Sequence, residues 1–178
     1  MEEKTKSSTS NALSYGLITG AVMIVYSLIL YLLNLHLNRY LPLISFLILL
    51  VGMTYGTIQF RNKAMNGFIS YGKAYSSGFM IALFAGILAA IYAFIFYQFI
   101  APDVVREILD MANQNIMAKS AQMSDDQMQK AMDMTTKFVT PPFMSIMLLI
   151  YCLVIAAIGG LITSAFIKKE DKSGSPIV

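Results

Sequence analysis

Tryptophan is absent from this chain of 178 residues, and cysteine and histidine occur once each, as Cys152 and His36. A lone cysteine closes no internal disulfide, and one histidine far from one thiol supplies no metal-ligand spacing. Charge is scarce as well. Only 13% of the residues are Asp, Glu, Lys or Arg, against roughly a quarter in an average soluble domain. The net charge of +3 is too small for a nucleic-acid-binding surface. No nucleophile elbow, phosphate-binding glycine loop, zinc motif or pair of catalytic carboxylates occurs, so nothing in the sequence points to an enzyme or to a cofactor.

What the chain does have is apolar length. Hydrophobic residues make up 57% of it, and four runs, 12–35, 41–60, 74–101 and 140–167, contain no charged residue. Each run has about 20 residues or more, enough at ~1.5 Å per residue to cross the ~30 Å hydrocarbon core of a bilayer. The pattern predicts an all-α integral membrane protein, a four-transmembrane-helix bundle. The start is no signal peptide in pattern. Glu2, Glu3, Lys4 and Lys6 mix both signs, the first run exceeds the ~7–15-residue apolar core of such peptides, and no small-residue cleavage site follows.

Between the runs the chain reads as follows. Residues 1–11 are polar and expected to be disordered, 12–168 form the membrane domain, and 169–178 form a flexible tail. The link between the first two runs is very short and predicts an antiparallel hairpin. Pro42 suits the first turn of the second helix, where its missing N–H costs little. Arg61 is expected to end that helix. Residues 61–73 place Met65, Phe68 and Ile69 at helical spacing, which predicts a short amphipathic element in the headgroup layer or a partly re-entrant loop. Residues 102–139 predict an extramembrane helical hairpin between helices three and four. Val104, Val105, Ile108, Leu109 and Ala112 form its first apolar stripe, and Ser124-Asp125-Asp126-Gln127 is a capping box opening its second helix.

Basic residues flanking short loops set orientation. Lys4 and Lys6, then Arg61, Lys63 and Lys73, then Lys168, Lys169 and Lys172 share one side if there are four spans. Both termini are therefore expected in the cytoplasm, with the 102–139 insert outside. Tyrosines mark the boundaries: Tyr15, Tyr71 and Tyr75 on the inner side, Tyr31, Tyr40, Tyr92 and Tyr97 on the outer. Ser14-Tyr15-Gly16 and Ser70-Tyr71-Gly72 open helices one and three, a hint of two duplicated hairpins.

Small residues recur four apart in every run: Gly16 and Gly20; Gly52 and Gly56; Gly78, Ala82 and Gly86; Ala156, Gly160 and Ser164. In lipid, apolar burial does not draw helices together, whereas close backbone approach over small side chains does. These positions read as internal packing, with a face for another membrane protein or a second copy as the alternative. No polar residue within the runs is ionisable at neutral pH, which removes the carboxylate and histidine relays of ion-coupled pumps. Met111, Met117, Met123, Met128, Met132 and Met134 concentrate in the insert. Their loose spacing, without Cys or His nearby, reads as adaptable packing and not as a copper site.

One polar segment stands out, Gly67 to Tyr75, reading GFISYGKAY. It is either a lipid-facing connector or a contact for a lipid phosphate or a cytoplasmic partner. In the second case Gly67, Tyr71, Gly72 and Lys73 carry it, Lys73 as the point charge and Gly72 allowing close approach.

Gly67, Ser70-Tyr71-Gly72-Lys73-Ala74 and Gly78, with two hairpins and a helical insert before helix four, resemble a bacterial membrane family catalogued as domain of unknown function 4199. The resemblance covers about residues 12–168. It implies a Gram-negative inner membrane and no catalysis. Members of the family often neighbour polyprenol-phosphate sugar synthases, which implies by association an accessory role in lipid-linked sugar handling. The expectation is a non-enzymatic scaffold or accessory subunit of a membrane complex. The alternative is a small transporter or lipid-handling protein.

Overall fold

The computed structural model describes residues 8–38, 40–118 and 124–169. The order is α1 (Ser8–Leu32), α2 (Pro42–Ala64), α3 (Tyr71–Ile95) with a π-helical continuation (Phe96–Ile100), α4 (Pro102–Met117), α5 (Asp125–Phe138) and α6 (Pro141–Ile167). No strand occurs among the described residues. Four helices are long and apolar enough to cross a membrane: Ser8–Leu32, Leu43–Ala64, Tyr71–Ile100 and Pro141–Ile167. By length and composition the chain is a multi-pass membrane protein. The disorder expected for the extreme termini, and the roles given to Lys4, Lys6, Lys172 and Met123, concern positions outside the described residues.

The chain divides into two compact units, one of Met1–Ala89 with Leu149–Val178, the other of Ala90–Leu148. In the first unit, α1 and α2 pack against residues 71–89 of α3 and 149–167 of α6. The contacts run over small residues. A Cβ added to Gly16 would lie 2.6 Å from Phe84 Cβ and 2.8 Å from the Ile81 carbonyl oxygen. One added to Gly20 would meet the Ala85 carbonyl oxygen at 3.1 Å. These separations leave no room for a methyl group, so backbone lies on backbone. The fully buried side chains include Leu49, Met53, Ile81, Thr57, Cys152, Ser77 and Ser164. Two hydroxyls in this interior turn back on their own helices. Thr19 Oγ1 donates to the Tyr15 carbonyl and Thr57 Oγ1 to the Met53 carbonyl, both at 2.7 Å.

Two boundaries differ from those read off the sequence. α1 starts at Ser8, so Ser8–Asn11 are helical and not disordered. Asn11 is buried, and its Nδ2 donates to the Gly56 carbonyl at 3.1 Å. A buried amide is tolerated once hydrogen-bonded, and the bare backbone of a glycine leaves its carbonyl within reach. α2 runs through Arg61 to Ala64. A charge ends the apolar run, but nothing in it ends a helix. The first two helices are joined by a turn in which Asn34 is left-handed at φ 54°, a conformation Asn tolerates. Asn38 Oδ1 accepts from the N–H groups of Tyr40 and Leu41, and Tyr26 OH donates to the Leu41 carbonyl at 2.9 Å.

In the second unit the end of α3 widens. The Ala101 N–H reaches back to the Phe96 carbonyl at 2.8 Å, and Pro102 then begins α4. α5 opens with the capping box: the Gln127 N–H donates to Ser124 Oγ, and the Ser124 N–H to Gln127 Oε1 at 3.1 Å. Val104 is the buried residue of α4, and Ala131 and Met132 are half-buried on α5, while Met111, Met117, Met134 and Phe138 are exposed. Phe138 packs on Phe143 with ring centroids 4.7 Å apart.

Candidate functional site

The segment singled out in the sequence lies where α2, α3 and the end of α6 meet. After Ala64 the chain reverses through two left-handed residues, Asn66 at φ 50° and Gly67 at φ 85°. The Gly67 N–H closes the turn on the Arg61 carbonyl at 2.9 Å. A Cβ at Gly67 would meet nothing within 4 Å, so the glycine serves the backbone conformation and not a tight contact. This turn replaces the amphipathic element expected over 61–73. Arg61–Ala64 complete α2, residues 65–70 form the link, and Tyr71 begins α3.

The link is held by main chain. Ile69 and Lys169 form an isolated antiparallel pair, N–H to carbonyl in both directions at 2.9 and 3.0 Å. Ile69 is buried in a cluster with Phe60, Ala74 and Ile167, against which Ile58, Ala64 and Met65 also pack. Arg61 Nη1 donates to the Ile167 carbonyl at 2.9 Å, and Arg61 Nε to Asn62 Oδ1 at 3.1 Å. The last carbonyls of a helix have no partner within it, and its C-terminus carries partial negative charge. A guanidinium there satisfies both. Lys169 Nζ lies 5.6 Å from the centre of the Phe68 ring, a cation–π distance. Tyr71 OH donates to the Leu161 carbonyl at 3.0 Å. These four contacts tie the link and the residues flanking it to the C-terminal part of α6 and to Lys169.

Of the residues named from sequence, Tyr71 is therefore engaged with α6. Gly72 is exposed, and an added Cβ would meet nothing within 4 Å. Lys73 is exposed on the first turn of α3. Arg61, Lys63, Lys73, Lys168 and Lys169 are the basic residues described in this unit, and its described residues include no Asp or Glu. All five sit at this end, where no carboxylate lies among the described residues of the unit.

The packing residues are placed as follows. Gly52 abuts the Thr19 side chain, and Gly56 lies between Ile81 and Tyr15. Gly78 faces Met53 and Thr57, and Gly86 faces Cys152 and Leu149, each 3.1 Å from where an added Cβ would stand. A Cβ added to Gly160 would lie 3.1 Å from the Tyr75 ring. Ala82, Ala156 and Ser164 are buried. Sequence reasoning missed Gly159, which abuts Leu50 of α2, along with Asn11, the Arg61 bond and the Ile69 pairing. Gly159 directly precedes a glycine already chosen, which was a usable signal. The Ile69 pairing joins distant parts of the chain and has no local one.

On the outside of α1 and α2, a groove of about 620 Å³ is lined by Tyr15, Ile18, Thr19, Val22, Leu47, Ile48, Val51, Gly52 and Tyr55. A second lobe of about 300 Å³ continues along α2 through Thr54 and Ile58. Among the described residues no three of His, Cys, Asp and Glu come together as a metal site.

The family of proteins of unknown function DUF4199 matches this chain over residues 14–169. The chain belongs to that family. No curated protein and no solved structure matches it.

Proposed function

We propose that this member of the family is a non-enzymatic scaffold or accessory subunit of a bacterial inner-membrane complex. In this reading both termini and the α2–α3 link face the cytoplasm, and α4 and α5 form a helical hairpin on the periplasmic side. One observation carries it: the interior of the first unit is closed by backbone contacts at Gly16 and Gly20 and by the Ile81 and Tyr15 side chains at Gly56, where an added methyl group would be crowded. An interior of that density supports a structural role over a path for polar cargo. The exposed methionines of α4 and α5, adaptable in shape, suit a protein partner. The test is purification from native membranes in mild detergent. A second membrane protein should co-elute in fixed proportion, and recovery of this chain alone would overturn the reading.

A second reading, a small transporter or lipid-handling protein acting on polyprenol-linked sugars, is favoured by the α1–α2 groove. Its test is transbilayer movement of a lipid-linked sugar in proteoliposomes, where a rate equal to that of protein-free vesicles excludes it.

A further inference from the structure

We propose that the α1–α2 groove holds one anionic phospholipid, with an acyl chain along the groove and its phosphate against Arg61, Asn62 and Lys63. The inference rests on the four-span membrane reading. It needs neither the accessory-subunit reading nor transport.

The groove exists because of what forms its floor. Gly52 lets α2 settle onto Thr19 of α1, and the larger side chains beside that contact stand up as walls. Ile18, Val22, Leu47, Val51 and Tyr55 are between 48% and 68% exposed in the protein alone. Volumes of ~300–1,000 Å³ are those of sites that bury small ligands, and the apolar lining suits hydrocarbon.

Length and charge select the occupant. From Leu47 to Arg61 along α2 is about 21 Å at ~1.5 Å per residue. One bilayer leaflet with its headgroups is roughly 20–22 Å, half of the ~40–45 Å total. A chain ending near Leu47 therefore places its phosphate at the level of Arg61. The route is continuous on one face of the helix: Val51, Tyr55, Ile58 and Asn62 follow at spacings of four, three and four. One turn past Ile58, Arg61 Nε holds Asn62 Oδ1 while its Nη1 is given to the Ile167 carbonyl, Lys63 is exposed, and no carboxylate is present among the described residues of this unit. Tyr15 and Tyr55, edge to face at 5.8 Å, stand between chain and headgroup, where amphipathic rings are favoured.

The experiment is reconstitution of the full chain into vesicles of equal phosphatidylglycerol and phosphatidylcholine, followed by extraction and native mass spectrometry. One retained phosphatidylglycerol is expected. Lys63→Gln should reduce its preference over phosphatidylcholine about fivefold, the effect of one surface cation on an anionic lipid. Val51→Trp, at a wall position 68% exposed, should fill the groove and abolish retention while the thermal midpoint in detergent holds. Ile18→Trp on the facing wall should do the same. Excess inorganic phosphate should displace nothing. Equal retention of both lipids, full retention by either Trp variant, displacement by phosphate, or unfolding of both Trp variants would each overturn the proposal. Failure of the chain to enter vesicles would instead overturn the membrane reading. Lipid retention without transbilayer movement separates this site from the transport reading.

Discussion

The guanidinium of Arg61, at the end of α2, donates to the carbonyl of Ile167, the last residue of α6, at 2.9 Å. Two helices remote in sequence are thereby joined by a charge-assisted bond at a helix C-terminus. The bond is part-buried and beside the Ile69–Lys169 pair. Hydrogen bonds to charged groups contribute about 1.5–3 kcal/mol net. Arg61→Ala should therefore lower stability in detergent by about that much, read as a drop in thermal midpoint. Arg61→Lys, which keeps the charge but loses the fork, should recover part of it. An unchanged midpoint in Arg61→Ala would show that the contact contributes nothing.

Gly56→Leu and Gly160→Leu test the small-residue packing. The first places a side chain against Ile81 and Tyr15, the second against Tyr75 and Met53. Overpacking costs typically about 1–3 kcal/mol. Both variants should unfold at lower temperature, Gly56→Leu more severely because Asn11 also binds its carbonyl. If both melt with the wild type, close packing is not what holds the helices.

How much of this was legible in the sequence depends on distance along the chain. The four spans follow from uncharged runs, a property of each segment alone. The capping box at Ser124 is likewise local. Where a helix ends is decided by backbone hydrogen bonds: the charge of Arg61 ends the apolar run, yet nothing there interrupts the backbone ladder, and α2 continues to Ala64. Met65, Phe68 and Ile69 have helical spacing, but Ile69 is buried through a turn at Asn66–Gly67 and by pairing with Lys169. Spacing reports a buried face and not the route by which the chain reaches it. Asn11 reads only as a polar residue in the sequence, and the partner that buries it is forty-five positions away.

The two glycines of the link should respond in opposite ways. Gly67 is at φ 85°, a left-handed conformation that costs an L-residue about 1–2 kcal/mol, so Gly67→Ala should destabilise by about that amount. Gly72 lies in the first turn of α3 with open space at its Cβ position. Gly72→Ala should be neutral or stabilising by up to ~1 kcal/mol, through the lower entropy of the unfolded chain. Thermal melts of the two variants side by side decide it, and equal losses would contradict the assigned backbone roles.

Lys73→Ala separates folding from surface chemistry. Lys73 is exposed and forms no ion pair with a described residue, and isolated surface charges typically change stability by less than ~0.5 kcal/mol. The variant should melt with the wild type. Its positive charge nonetheless belongs to an end of the molecule where Arg61, Lys63, Lys168 and Lys169 also lie without a carboxylate among the described residues of that unit. Attraction to an anionic surface is worth roughly a factor of five per cation and falls with salt. Binding of the detergent-solubilised protein to anionic micelles should weaken about fivefold in Lys73→Ala at low ionic strength, and the difference should shrink at high salt. A variant that binds as tightly as the wild type at low salt would place Lys73 outside the charged surface. One that also unfolds would make it part of the fold.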